Sequence, residues 1–252
     1  MTIVLKLGGS LITEKTDSRR VDTAILSAVA STIGDATPDQ VVIVHGGGSF
    51  GHPVAAMYGA SASEPITDPE GIVAISRAME TLNAHVVDAL HDEGVPAIPL
   101  SPRGFSVIES DESVSVWGGG LTAALNAGFI PVTYGEIVPT PSGGCAILSG
   151  DHLATAIGRT LEAERIGLCS NVPGVLDDDN AVIPRVTDLD SIRPYVDAPE
   201  GTDVTGGIEG KVAHLLDVPI PSAIFGRDAL SAFLNGALPG TQIDPTGNAG
   251  SF

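Results

Sequence analysis

The chain has 252 residues, of which 43% are hydrophobic, enough for one large α/β domain or two small lobes with an ample core. Its formal net charge of −19 argues against nucleic acid or an anionic membrane as a general partner, because both are polyanions.

Thr2 to Leu7 read as a buried strand, since apolar and β-branched residues run up to the glycine pair Gly8-Gly9. A tight turn there leaves backbone N–H groups that, with Lys6 on one side and Ser10 and Lys15 beyond, form a cationic nest of the kind that holds phosphate. Val21 to Ile33 has helical spacing and is expected to close at Gly34. Val41 to Val44 is a second buried strand that runs into His45-Gly46-Gly47-Gly48-Ser49-Phe50-Gly51-His52. A helix begins near there, and a longer one covers about Pro69 to Glu93, with Ile72, Ile75, Met79, Leu82, Val86 and Leu90 on one stripe. Val95 to Ile98 is a short strand. From Gly104 to Gly144 short strands broken by Gly and Pro are expected, Val114 to Trp117 and Ile130 to Thr133 foremost.

The alternation then resumes with strand Ala146 to Leu148, the turn Ser149-Gly150-Asp151, helix His152 to Leu161 and strand Arg165 to Cys169. Val182 to Ile183, Ile192 to Tyr195, Lys211 to Leu216 and Ser222 to Phe225 complete the series. Strands separated by helices predict an α/β fold with a largely parallel central sheet sandwiched between helices in three layers. Residues 1–243 read as one domain, with a front lobe to about 144 and a rear lobe from about 145, and residues 244–252 as a disordered tail. The opening carries no leader pattern and no stretch is apolar enough to span a bilayer, so a cytoplasmic protein is expected. Cys145 and Cys169 show no metal-ligand spacing and read as buried free thiols.

Lysine usage sharpens this reading. Only Lys6, Lys15 and Lys211 are present, against nine arginines and 31 acidic residues, and all three lie in or close to glycine-rich segments. Such a charge balance resembles that of proteins from salt-loving organisms, where ionic strength screens self-repulsion. The lysines that remain are expected where a compact ammonium is needed.

Two familiar nucleotide templates fit poorly. Residues 46–51 match GxGxxG after a strand, but a dinucleotide fold wants an acidic residue closing the second strand, and Glu64 and Asp68 sit in a loop rich in Ser and Pro. The Gly207–Lys211 stretch fails as a P-loop, with Thr205 for the first glycine and Val212 for Ser or Thr. Three glycine-rich loops remain, each carrying a cation or imidazole. Two are most simply cradles for two different phosphates, as phosphoryl transfer requires.

The ordered motifs KLGGSLITEK, HGGGSFGH, LSGD, NVPGV and DVTGGIEGK, with the closing GRDALSAFLNGALPGTQI, resemble the amino acid kinase superfamily and, within it, the archaeal isopentenyl phosphate kinases. The likeness spans about residues 3–243; one departure is Asn171, where relatives usually carry Asp. It implies ATP as phosphoryl donor, Mg²⁺ held mainly by the ATP phosphates, isopentenyl phosphate as acceptor and a homodimer. It also implies roles. Lys6 would contact the transferring phosphoryl group with Gly8 and Gly9 donating N–H bonds, and Ser10 and Lys15 would complete that side. Asp151 would hold the lysines in place, and Gly150 before it would join the substrate-binding residues. Lys211 would bind ATP phosphates, while Asn171, Gly174, Gly206 and Gly207 shape the nucleotide pocket. Gly47, Gly48 and His52 would hold the acceptor phosphate, whose second pKa of ~6 makes it an anionic nucleophile that needs donors but no general base. The apolar tail is expected against Met79, Leu82 and Val86. The alternatives are another phosphate or phosphonate kinase, such as one acting on fosfomycin, and a catalytically dead nucleotide sensor, which would be expected to lose the lysines. His45, His85, His91, His152 and His214 read as structural.

Overall fold

A computed structural model describes residues 1–15, 19–36, 40–195 and 207–245. In chain order the elements are β1 (Ile3–Leu7), α1 (Gly9–Ile12), α2 (Thr23–Ala36), β2 (Val41–His45), α3 (Gly48–Met57), α4 (Pro69–Asp92), β3 (Ala97–Pro99), β4 (Ser106–Ile108), β5 (Val114–Val116), α5 (Gly119–Asn126), β6 (Ile130–Tyr134), β7 (Glu136–Pro139), β8 (Cys145–Leu148), α6 (Gly150–Thr160), β9 (Arg165–Ser170), β10 (Arg185–Val186), α7 (Gly207–Leu216), β11 (Ser222–Gly226), α8 (Leu230–Leu234) and β12 (Thr241–Ile243).

Eight strands form one sheet in the order β10-β12-β11-β9-β1-β2-β6-β3, parallel throughout except where β12 runs against β11. β1 lies at its centre, in register with β2 through Leu7 opposite His45 and with β9 through Leu7 opposite Cys169. The chain leaves β1 toward β2 on one side and reaches β9 on the other, so the carboxyl end of β1 faces a topological switch point, where open α/β sheets bind ligands.

All five β1 residues are buried, and alternation splits them between two cores. Ile3, Leu5 and Leu7 join the core under α2, α4 and α8. Val4 joins the opposite one, which holds Leu153, Ala154 and Ile157 of α6 with Val212 and Leu215 of α7. Lys6 shares that second face, and its side chain is carried toward the start of α6.

Several boundaries differ from expectation. Gly34 lies within α2 rather than after it: a Cβ there would come within 3.0 Å of the Glu93 carbonyl, so glycine serves close packing. The segment expected to hold only short strands contains α5, whose Leu121 and Leu125 are buried one turn apart behind three masking glycines. Val182 makes only an isolated bridge to Leu176, and Ile192–Tyr195 is turn. The short strands β7, β10 and β12 carry too little pattern to be read. Cys169 is buried and Cys145 half-buried, neither in a disulfide.

Candidate active site

The glycine loops that follow β1 and β2 touch each other through their backbones. A Cβ on Gly9 would lie 2.2 Å from the Gly48 nitrogen, and one on Gly48, whose φ is +48°, would lie 2.6 Å from the Gly9 carbonyl oxygen. Only glycine fits on both sides of this contact. Thr13, missed in the sequence reading, joins the same two loops: its hydroxyl donates to the Gly9 carbonyl at 2.8 Å and accepts from the Ser49 N–H at 3.1 Å.

Above them opens a cleft of about 690 Å³. It is lined by Lys6, Gly8, Gly9, Ser10, Lys15, Gly47, Gly48, His52, Gly150, Asp151, Asn171, Gly174, Gly207 and Lys211, so the structure brings these expected residues together. Gly206 lies outside the described residues. The first residues of α3, α6 and α7 also line the cleft, and the leading N–H groups of a helix lack partners within it. Three positive helix ends converging on one cleft suit a polyphosphate.

At its floor, Lys6 Nζ lies 2.7 Å from Asp151 Oδ1, both side chains almost wholly buried, while Lys211 Nζ stands 3.9 Å from Oδ2 and donates to the Gly207 carbonyl at 3.0 Å. Burial by itself would raise the Asp151 carboxyl, but Lys6, Lys211 and His214 outweigh it and hold the group below the usual carboxylate range. Lys15 sits exposed at the rim. Gly8 departs from its expected part, because its N–H extends the parallel ladder and donates to the Cys169 carbonyl at 2.8 Å. It shapes the cleft without offering that donor to a phosphate.

A second, apolar chamber of about 30 Å³ adjoins the cleft, lined by Gly51, Ala55, Ile75, Met79, Ile147 and Leu148 with Gly135 and Glu136. Gly47 and His52 line both spaces and form their junction. Met79 is thus where an apolar tail would need it, whereas Leu82 and Val86 are not. Both are fully buried in the main core and line neither space, because that part of α4 faces the sheet. Gly51 makes room for Met79, whose sulfur would lie 2.7 Å from a Cβ there.

His45 pairs through Nε2 with Asn83 and through Nδ1 with the Gly46 carbonyl, each at 3.1 Å, and stacks on Tyr134. Burial lowers it to about 4, so it stays neutral and structural. His152 and His214 stack with centroids 4.5 Å apart and tie α6 to α7. Burial pushes the Cys169 thiol up to about 12, which leaves it inert beside the cleft.

Glu136 gave no sequence signal. Its carboxylate is buried, accepts from the Ile137 N–H at 2.9 Å and the Ser76 hydroxyl at 3.4 Å, and lies 3.7 Å from Arg103 Nε. Burial is the main reason its pKa rises from 4.5 to about 7. Between those values the folded chain keeps a proton the unfolded chain has lost, so this contribution to stability is complete below 4.5 and is lost as pH rises through about 7. His45 acts oppositely, its contribution growing as pH rises from about 4 to 6.5. Glu136→Gln removes the first effect alone. The stability difference between wild type and variant, measured by urea unfolding at pH 4.5 and 7.5, is expected to shift by about 3 kcal/mol against the wild type at the higher pH. No change in that difference would show that burial does not raise the Glu136 pKa in the fold.

Among the described residues no group of three His, Cys, Asp or Glu side chains could hold a metal ion, and no helix is long and apolar enough to cross a membrane.

The sequence model of the amino acid kinase family matches residues 1–219. Isopentenyl phosphate kinase of Haloferax volcanii is 43% identical over 242 residues, covering 96% of this chain and 98% of that protein. The enzyme of the same name from Methanothermobacter thermautotrophicus is 33% identical, covering 94% and 92%. A solved structure of isopentenyl phosphate kinase superposes with a TM-score of 0.80 at 28% identity, over 96% of this chain and all of that one.

Proposed function

The chain belongs to the amino acid kinase family and, within it, to the isopentenyl phosphate kinases, and from that premise we propose that it transfers the γ-phosphoryl group of ATP to isopentenyl phosphate, giving isopentenyl diphosphate and ADP. The observation that carries this reading is the backbone contact between the Gly8-Gly9 and Gly46–Gly48 loops, which sets two phosphate cradles side by side over one buried lysine. Transfer in line between phosphates held there needs positioning and charge neutralisation and no phosphoenzyme.

In this scheme Lys6 and Lys15 offset charge on the transferred group and Gly9 offers its N–H, with Ser10 beside it. Lys211 binds the donor's other phosphates. Asp151 receives no proton; held ionised, it aims Lys6 and Lys211. Asn171, Gly174 and Gly207 form the nucleotide end of the cleft, where Asn171 accepts a 3.3 Å bond from the Ser170 hydroxyl. Gly47, Gly48 and His52 donate to the acceptor phosphate, while its alkenyl chain is directed at the chamber, which at about 30 Å³ must widen, with Met79 as its flexible wall, to admit five carbons. Mg²⁺ would neutralise phosphate charge. The residues present fit an ion carried on ATP rather than one caged by protein, since Asp151 is engaged by two lysines and Glu14 faces Arg20 at 3.7 Å. We place this activity in the cytoplasm, in a homodimer, and at high salt, as the net charge of −19 suggests.

A coupled ADP-release assay over a panel of acceptors tests the reading. Isopentenyl phosphate is expected to support turnover and fosfomycin not; the reverse outcome would assign a phosphonate kinase, and no turnover with any acceptor a nucleotide sensor. In the same assay His52→Ala is expected to lower kcat/KM for the acceptor about ten- to a hundredfold, the loss of one hydrogen bond to a charged group at ~1.5–3 kcal/mol. An unchanged value would remove His52 from the acceptor site.

A further inference from the structure

Thr13 lies just past α1, in extended backbone with φ −126° and ψ 148°, and only 4% of it is exposed. Its hydroxyl is committed on both sides. The proton goes to the Gly9 carbonyl at 2.8 Å, and a lone pair takes the Ser49 N–H at 3.1 Å. The Thr13 main-chain N–H also donates to that carbonyl, at 3.1 Å, so Gly9 oxygen is held twice by one residue. On the far side, a Cβ on Gly48 would lie 2.2 Å from Thr13 Oγ1, so the hydroxyl is wedged against the second loop as well as bonded to it. No other described side chain donates to one of these glycine loops while accepting from the other.

From this geometry we infer that Thr13 is a positioning residue that sets the distance between the two phosphate cradles, and through it the approach of the acceptor oxygen to the transferred phosphorus. The inference rests on the proposed kinase reading, in which the Gly9 loop serves the donor and the Gly47–Gly48 loop the acceptor. Several features make a hydroxyl at this place suited to the task. A two-sided bond fixes a separation, whereas packing alone resists only compression. A β-branched residue in extended backbone has few side-chain rotamers, so the oxygen is held where the loops need it. By taking the Ser49 N–H, the hydroxyl also occupies the donor nearest Thr13, leaving Gly47 and Gly48 as the donors for the acceptor phosphate. Each cradle can bind its own phosphate whether or not Thr13 bridges them; what the bridge controls is their mutual alignment.

The signature is therefore a loss of turnover without a matching loss of either affinity. Thr13→Val keeps the volume and branching but replaces the hydroxyl by a methyl. It is expected to lower kcat about ten- to a hundredfold, as a misplacement near 1 Å does, with KM for ATP and for isopentenyl phosphate changed less than threefold. Thr13→Ser, which keeps the oxygen, is expected to retain most of the wild-type kcat. The second readout does not depend on turnover. An adenosine tetraphosphate esterified with isopentenol spans both cradles, and its affinity by calorimetry is expected to fall at least tenfold in Thr13→Val while ATP and isopentenyl phosphate bind separately as in wild type.

Equal weakening of all three ligands, or normal kcat in Thr13→Val, would overturn the inference. If Thr13→Val does not fold, Thr13→Ala, which also relieves the crowding against Gly48, takes its place in both measurements. Should neither fold while Thr13→Ser does, the hydroxyl is a structural bond alone and the inference falls. Failure of the kinase reading looks different, since the wild type itself would then neither turn over isopentenyl phosphate nor favour the two-headed compound.

Discussion

Lys6→Met is expected to reduce kcat by roughly a hundredfold to a thousandfold, the cost of deleting a preorganised charge that strengthens its contact as the phosphoryl group moves. The structure adds a second consequence. Asp151 would keep only Lys211, 3.9 Å away, and a buried carboxylate stripped of its nearer partner destabilises the fold by about 3 kcal/mol. Its pKa must then rise, so acidification protonates Asp151 more readily in the folded variant and the stability gap between variant and wild type should narrow as pH falls. Arginine should not rescue it. The end of the Lys6 stem passes between the loops, with a Cβ on Gly46 or Gly150 falling 3.7 and 3.5 Å from Lys6 Cε, and the larger planar fork of an arginine would not take the place of a compact ammonium there. Single-turnover rates and denaturant unfolding on Lys6→Met, Lys6→Arg and the double variant Lys6→Met/Asp151→Asn separate the two effects. The double variant should regain stability without regaining rate; near-normal turnover in Lys6→Arg would mean that the site is not shaped for an ammonium.

Gly9→Ala is the other change expected to be severe. The added methyl would meet the Gly48 nitrogen at 2.2 Å, Gly48 Cα at 2.8 Å and the Gly46 carbonyl carbon at 2.9 Å, all main-chain atoms that cannot swing aside. The loops must part, which costs about 1–3 kcal/mol of stability and separates the two cradles, so kcat should fall a hundredfold or more. Gly8→Ala is the control within the same motif. Its nearest neighbour would be the Cys169 carbonyl at 3.3 Å, and it should retain turnover within about tenfold. If the two variants lose activity equally, loop contact is not what the first glycine pair is for.

The gathering of the glycine loops and lysines around one cleft was legible because its physics is local. A strand running into glycines, with a lysine near the strand's end, writes a nest of the kind that suits phosphate in ten consecutive residues, and the scarcity of lysine marked the three cations that line the cleft. What escaped depended on partners distant in sequence. The apolar stripe of α4 was real, but periodicity gives the buried face of a helix without saying which part of it meets a cavity, and Leu82 and Val86 turned to the sheet while Met79 reached the chamber. Glu136 reads as an ordinary acid between two strands until Ser76 and Arg103 arrive from elsewhere in the chain. Gly8 belongs to the motif, yet its N–H is taken by a strand that comes more than 150 residues later. Thr13 looks like any threonine ending a helix turn.

The chamber draws only part of its wall from the loop after β2, through Gly47, Gly51 and His52; Ile75 and Met79 stand on α4 and Ile147 on β8, away from the β1 and β2 turns. On the proposed reading, the part of the wall that meets the acceptor's carbon skeleton on α4 and β8 can be edited apart from the loops that meet its head group, with Gly47 and His52 common to both. Substitutions along α4 and β8 can be sampled, by selection or by design, without paying a toll in catalysis, whereas hardly any position in the loops is open to drift. Lineages built on this scaffold should accordingly diversify in what they phosphorylate far more readily than in how they do it.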